Sequence, residues 1–131
     1  MAQQPIELIL ARQFADSMSV AVFIVDPEGF LLFCNEPAEE ILGIRYAETG
    51  VMAMEDWASG FTPTDSQGSP IPPEEIPLVQ TLHTKMPAHG SLYIYNRNGE
   101  QVQITVTSIP VQGRPDKYLG AMAFFWKSPT S

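Results

Sequence analysis

The sequence has a single cysteine and only seven lysine and arginine residues among its 131 positions. One cysteine excludes an intrachain disulfide and is typical of a protein kept in a reducing compartment. No apolar run reaches the roughly 20 residues of a membrane-spanning helix, and the first residues lack the basic start of a signal peptide. We therefore expect a cytoplasmic protein with no membrane partner.

Fifteen acidic residues outnumber the basic ones and give a formal net charge of −8. Thirteen of the fifteen fall within residues 1–75. A chain this acidic, with no basic stripe, is a poor partner for nucleic acid, and we expect no direct binding. The acidic half predicts a solvated surface, with an acidic docking face for a protein partner as the alternative.

Motifs for catalysis and metal binding are missing as well. Two separated histidines, His83 and His89, and one cysteine do not form a zinc pattern. No Ser-His-Asp or Cys-His arrangement and no glycine-rich phosphate loop stands out. The carboxylates cluster at predicted turns and helix starts, where solvation explains them. We therefore predict that the protein is not an enzyme and has no catalytic residue or metal site.

Two helices are predicted in the first third of the chain. Residues 36–43 have Asn35 as a helix N-cap and Gly43 as a terminator. Residues 5–16 repeat apolar side chains at helical spacing, and this stripe must pack on the domain or on a second copy. The predicted dimer-helix residues are Ile6, Ile9, Leu10 and Phe14.

Strands are predicted on both sides of the first turn. Residues 19–26 and 30–34 are apolar and rich in strand-forming side chains, which predicts a hairpin. The turn between them has Asp26 at its start and Gly29 at its end, as turn chemistry requires.

The last third also predicts strands. Asn98-Gly99 is a strong hairpin signal, and residues 101–107 after it alternate polar and apolar side chains. Residues 113–117 predict a further turn, and residues 118–126 a last apolar strand.

The middle of the chain is the least regular. Residues 44–70 leave room for a helical turn or two, and their order is an open question. Residues 73–85 predict a helix in which Pro77 lies in the first turn, unless the helix begins later. Two strands before this region and three after it predict an α+β domain with a mostly antiparallel sheet and its helices on one face.

The stretch VFIVDPEGFLLFCNEPAEEILG resembles the opening of the PAS domain family, in which an Asp-x-x-Gly turn, a strand, an Asn and a helix ending in Leu-Gly follow one another. Those positions are Asp26, Gly29, Asn35 and Gly43. DSQGSPIPPEEIPLVQTLHT, NRNGEQVQITVTSIPV and YLGAMAFFW resemble later parts, so that the resemblance covers residues 15–126. It implies a PAS-like five-stranded antiparallel sheet with short helices on one face and an N-terminal capping helix.

The family's role is sensing and interaction within cytoplasmic signalling proteins such as two-component systems. The resemblance implies a module that binds a small apolar or amphiphilic ligand, or a protein partner, and relays a conformational signal. The alternatives are a ligand-free dimerisation or protein-interaction module and, less favoured, a haem-based sensor. A homodimer through the N-terminal helix is also implied, with an effector such as a kinase or transcription regulator in the same or another chain.

The predicted organisation has three parts. Residues 1–17 form the capping and dimerisation helix, residues 18–127 the PAS domain and residues 128–131 a tail. The Asp-Ile-Thr-like end of many PAS domains is absent, which leaves open whether the chain is a fragment or a stand-alone protein.

Two PAS cofactors fit the sequence poorly. Flavin photochemistry in the family needs a helix-borne Asn-Cys-Arg-Phe-Leu-Gln-type motif, whereas Cys34 ends a predicted strand. We predict that Cys34 is a small buried residue, with redox sensing as the alternative. Haem sensors of the family use a histidine of the long helix, which His83 matches. His83 is turned about 100° from Leu82, which predicts a solvent-facing side chain and disfavours haem.

An apolar pocket is the remaining candidate site, with a solidly filled core as the alternative. Ser108, Tyr93 or Tyr95 would supply its few polar groups. The predicted wall consists of Ile24, Phe33, Leu42, Met52, Met54, Trp57, Leu78, Leu82, Ile94, Ile104 and Met122. The residues predicted to have structural roles are Asp26, Gly29, Asn35, Gly43, Asn98 and Gly99.

Overall fold

The apolar and alternating segments form one five-stranded antiparallel sheet in the order β2-β1-β5-β4-β3. The structure is a computed structural model and describes residues 6–17, 19–113 and 117–128. The predicted α+β class and PAS-like sheet are confirmed. The strands are β1 (Ala21–Val25), β2 (Leu31–Cys34), β3 (Ala88–Tyr95), β4 (Gln101–Gln112) and β5 (Tyr118–Lys127).

The helices lie on the two faces of this sheet. One face, called the inner face here, is covered by α2, α4 and α5, and the opposite outer face carries α1. Within the described residues, no helix is both long enough and apolar enough to span a membrane. The helices are α1 (Ile6–Asp16), α2 (Glu36–Leu42), α3 (Tyr46–Thr49), α4 (Met54–Gly60) and α5 (Pro77–Thr84).

Three turns of the form Asx-x-x-Gly share one set of hydrogen bonds. In each, the first side chain accepts from the backbone N–H groups two and four residues further on, at 2.8–3.0 Å. The glycine in each has a φ of 81–94°, a conformation that costs glycine little. The turns are Asp26–Gly29, Asp65–Gly68 and Asn96–Gly99. The predicted hairpin turn at Asn98-Gly99 is therefore organised by Asn96, two residues earlier.

Asn35 joins α1, β1 and α2 through its side chain. Its Oδ1 accepts from the N–H groups of Val22, at 2.9 Å, and Ala38, at 3.1 Å. Its Nδ2 donates to the carbonyl oxygens of Ala15 and Val20, both at 2.9 Å. The predicted N-cap of α2 is thus confirmed, and the buried amide has both donors and both acceptor positions occupied.

The middle of the chain is more regular than its composition indicates, since residues 44–70 contain α3 and α4. The helix predicted within residues 73–85 is present, and it begins at the later of the two predicted starts. A 3₁₀ turn occupies Pro73–Glu75, and Ile76 is extended, with φ −75° and ψ 128°, because the residue before a proline disfavours the helical region. The α-helix then begins at Pro77, which lacks the N–H that a first turn leaves unpaired.

Some predicted elements fall partly outside the described residues. Pro5 and residues 114–116 are among these, so that the predicted turn at 113–117 is described only by its ends. There the Gly113 N–H donates to the Lys117 carbonyl at 3.1 Å. His89, expected in a loop, lies instead on β3.

Both edge strands of the sheet have part of their backbone covered. On β3, the N–H groups of Tyr93 and Tyr95 donate to carbonyl oxygens of segment 61–64, at 2.9 and 2.8 Å. On β2, the Leu31 N–H donates to the Met52 carbonyl at 2.8 Å.

Replacing Asn35 by alanine should lower the free energy of unfolding by about 2–4 kcal/mol, because the helix loses its cap and buried backbone groups lose their partner. Urea denaturation of the wild-type and Asn35→Ala proteins would measure the difference. Asn98→Ala is the matched control, since Asn98 is exposed and should change stability by less than about 0.5 kcal/mol. Equal effects of the two substitutions would contradict the joining role of Asn35.

Candidate functional site

A cavity of about 90 Å³ lies between the inner face of the sheet and the helices that cover it. Strands β1, β3, β4 and β5 supply one side, and α2, α4, α5 and the loop before α5 supply the other. Every wall residue is buried except Ile76, which is partly exposed. The wall consists of Phe23, Leu42, Trp57, Ala58, Phe61, Pro63, Ile76, Leu78, Leu92, Ile94, Ile104, Val106, Ala123 and Phe125.

Every side chain of the cavity wall is apolar except for the indole N–H of Trp57. That group, Trp57 Nε1, donates to the Gly29 carbonyl at 2.7 Å and is therefore already paired. The Trp57 ring meets Phe23 edge to face, with a centroid distance of 5.5 Å and an interplanar angle of 71°. These contacts fix the orientation of the tryptophan at the cavity.

Two buried hydroxyl groups pair between α5 and β4. Thr81 Oγ1 and Ser108 Oγ are 2.6 Å apart, and Ser108 Oγ donates to the Pro77 carbonyl at 2.9 Å. This pair fastens α5 to the sheet, and it uses the O–H donors of both hydroxyls, since Ser108 donates to Pro77 and Thr81 therefore donates to Ser108. Ser108, which was expected to present a polar group to the pocket, is not a wall residue.

The predicted wall residues divide into three groups. Leu42, Trp57, Leu78, Ile94 and Ile104 line the cavity. A second group, Met52, Met54 and Leu82, packs in or against the same core without reaching the cavity. The third group, Ile24, Phe33 and Met122, packs in a separate cluster with α1 on the outer face.

The third group needs correction because side chains alternate across a strand. On β1, Phe23 points to the cavity, so that its neighbour Ile24 points to the outer face. On β5, Ala123 lies at the wall and Met122 therefore lies opposite. Tyr93 and Tyr95 fall on the outer face for the same reason, between the inward-facing Leu92 and Ile94 of β3.

Sequence reasoning missed nine wall residues. The alternation of β4 that identified Ile104 also indicates Val106, and the alternation of β3 that places Ile94 inward indicates Leu92. Strands β1 and β5 are apolar on both faces, so the alternation of side chains does not show which of their residues point inward. The missed residues are Phe23, Ala58, Phe61, Pro63, Ile76, Leu92, Val106, Ala123 and Phe125.

The side chains of this protein fit neither flavin nor haem at this cavity. Its volume of about 90 Å³ is well below the ~300–1,000 Å³ of pockets that hold drug-sized ligands. Cys34 is not a wall residue, and His83 lies exposed on α5. His89 is exposed too, and its Nδ1 lies 2.7 Å from Thr107 Oγ1 on the neighbouring strand. The described residues contain no group of ligands that would hold a metal ion.

A polar cleft on the protein surface lies beside α2 and α3. Glu36, Glu39, Glu40 and Glu48 line it together with two arginines, Arg45 and Arg97. One carboxylate oxygen, Glu39 Oε2, accepts from the Tyr46 N–H at 2.7 Å and so holds the start of α3. Four of the thirteen acidic residues of the acidic half thus line this cleft, together with two positive charges.

A sequence model of the PAS domain family matches residues 10–75. With the five-stranded sheet, the covering helices and the interior cavity described above, this defines a module of the kind used for sensing and signalling. The chain belongs to the PAS domain family. Domains of this family are generally sensory and non-catalytic. A comparison with curated proteins gives no match.

Solved structures support the fold. The PAS domain of a Colwellia psychrerythraea protein is 16% identical, with a TM-score of 0.66, over 92% of this chain and 96% of that one. The LOV protein of Rhodobacter sphaeroides is 18% identical, with a TM-score of 0.74, over 97% and 70%. The light-state dimer of the fungal blue-light photoreceptor Vivid is 14% identical, with a TM-score of 0.66, over 96% of each chain.

Cys34 is a buried strand residue whose thiol is held in its protonated form. Burial, and secondarily the negative charge of Glu39, raises the pKa of the Cys34 thiol from 9.0 to about 12. Since the thiolate is the reactive species, this environment does not favour reaction at neutral pH. The prediction that Cys34 is buried is confirmed by its exposed fraction of 2%.

We expect a thiol reagent to label Cys34 slowly in the folded protein and rapidly after unfolding in urea. Rapid labelling of the folded protein at pH 7 would contradict the buried assignment.

The raised pKa of Cys34 also predicts that stability is lost as pH rises from about 9 towards 12, because the unfolded chain releases the thiol proton there and the folded chain retains it. Cys34→Ala should remove this contribution and leave the one from Tyr118, whose pKa burial also raises.

Proposed function

We propose that this protein is a PAS sensory module that binds a small apolar or amphiphilic ligand in the inner cavity and relays the binding event to α1. The observation that carries the proposal is the apolar cavity between the sheet and the helices α4 and α5. In this proposal, residues 18–127 are the sensory domain and residues 1–17 the capping and dimerisation helix.

The relay rests on the two strands that have the cavity on one face and α1 on the other. On β5, Ala123 and Phe125 are wall residues, whereas Met122 packs in the cluster beneath α1. On β1, Phe23 and Ile24 divide in the same way. A ligand that displaces the inward side chains of these strands would shift the outward ones, which α1 contacts, and so bias the position of the helix.

The proposed homodimer rests on the outward face of α1. Ala11 and Ala15, the small residues of the helix, pack towards the sheet. The larger apolar side chains point away and are exposed: Ile6 by 65%, Ile9 by 40%, Leu10 by 55% and Phe14 by 58%. A stripe of large apolar residues turned to solvent fits a helix that a second copy covers.

A ligand-free interaction module is the second candidate, because the exposed stripe on α1 serves association whether or not the cavity is filled. Either module would act on an effector, a kinase or a transcription regulator in the same or another chain, within a cytoplasmic two-component or related pathway. The net charge of −8 supports a partner other than nucleic acid.

Native mass spectrometry and an absorbance spectrum of the purified protein, together with gas chromatography of its organic extract, would test the sensory proposal. We expect a colourless protein that releases a small organic molecule. A flavin or haem absorbance band would contradict the cavity assignment. A clean apo mass with an empty extract, and no response to added ligands, would favour the interaction module.

Replacing Leu10 by aspartate should convert a dimer into a monomer, because a charge in the middle of the stripe would have to be buried without a partner. Size-exclusion chromatography with light scattering would show the mass fall by half. Val51→Asp is the matched control, since Val51 is 60% exposed but lies outside α1. A monomeric wild-type protein, or an unchanged Leu10→Asp mass, would overturn the helix-mediated dimer.

A further inference from the structure

We propose that the inner cavity takes an uncharged, nonpolar molecule of benzene size or smaller, and not an amphiphile with a polar head group. This inference rests on the proposed sensory function and narrows its ligand to one chemical class. It follows from the wall chemistry, the pairing of nearby buried hydroxyls, and the size of the cavity.

The wall offers no polar partner to a ligand. Thirteen of the fourteen wall side chains are hydrocarbon, and the remaining one, Trp57, has its N–H bound to the Gly29 carbonyl at 2.7 Å. A carboxylate, hydroxyl or amine brought into this wall would lose its water without gaining a hydrogen bond. The wall therefore discriminates against ligands that carry such a group.

The two fully buried hydroxyl groups on α5 and β4 are already hydrogen-bonded. Thr81 and Ser108 are fully buried and bind each other at 2.6 Å, and Ser108 also donates to the Pro77 carbonyl. Thr64, which follows the wall residue Pro63, has a buried Oγ1 without a hydrogen-bond partner, but its side chain is not part of the wall. Within the wall itself an amphiphile finds no unpaired polar side chain.

The size of the cavity limits the ligand further. The volume of about 90 Å³ is smaller than the ~150 Å³ of an apolar cavity that stays dry and binds benzene or xenon. An alkyl chain of fatty-acid length does not fit. Ile76 is the only partly exposed wall residue, so the cavity comes nearest to solvent beside it, at the junction between the 3₁₀ turn Pro73–Glu75 and α5.

Methyl NMR of the wild-type protein with four probes, xenon, benzene, benzoate and decanoate, would test the ligand class. We expect xenon or benzene to shift the methyl signals of the wall residues Leu78, Ile104 and Val106 in a saturable way. Benzoate, which adds a charge to the benzene ring, should leave them unchanged. Benzene at ten times its dissociation constant should also raise the thermal midpoint of unfolding by about 5 °C.

Variants locate the binding in the cavity. Ala58→Leu fills the cavity from α4 with a good helix former and should weaken xenon or benzene binding at least tenfold. Ala47→Leu makes the same change at an exposed position of α3 and should leave binding unaltered. If Ala58→Leu does not fold, Ile104→Ala serves instead. It enlarges the cavity and should tighten benzene binding, since a larger apolar volume admits the ring more readily.

Equal benzene affinity in the wild-type and Ala58→Leu proteins would overturn the inference. If Ile104→Ala is used instead, a benzene affinity no higher than that of the wild-type protein would overturn it. Saturable binding of benzoate or decanoate at the wall methyls would overturn it too, while leaving the sensory function intact with an amphiphilic ligand. Failure of all four probes, together with an empty extract from the purified protein, would instead remove ligand sensing itself and favour the interaction module.

Discussion

The side-chain amide of Asn35 is the contact on which the arrangement of the other elements depends. It lies at the end of β2 and binds backbone groups of α1, of the segment entering β1, of β1 itself and of α2. An amide is the only side chain that supplies two donors and two acceptor positions in one plane, which is what these four backbone groups require. The start of the sheet, the capping helix and the first covering helix are therefore fixed relative to each other by one residue.

The sheet in turn separates two kinds of surface. Its inner face contributes to an apolar cavity whose wall carries no free polar side chain, and its outer face carries a helix that presents large apolar residues to solvent. The strands β1 and β5 belong to both surfaces, because their successive side chains alternate between them. Whatever occupies the cavity is one strand thickness away from the helix, with no intervening loop to absorb a displacement.

The sequence predicts the fold well and the cavity only in part. The turns are readable because Asx-x-x-Gly has a specific backbone requirement, and Asn35 is readable as a cap because it precedes a proline-containing helix start. The wall is not readable on β1 and β5, where both faces are apolar and the phase of alternation is set by partners distant in the chain. The helix within residues 73–85 is predicted with two possible starts, and the pair Ile76-Pro77 sets the later one, a turn further on.

The partial cover on both edge strands bears on how copies of this protein meet. An open strand edge is a template for pairing with another chain, and proteins that expose one are liable to strand exchange and to growth into extended aggregates. Here segment 61–64 occupies part of β3 and Met52 binds the start of β2, which shortens the length of backbone free for such pairing. This partial cover therefore disfavours open-ended strand addition at either edge of the sheet.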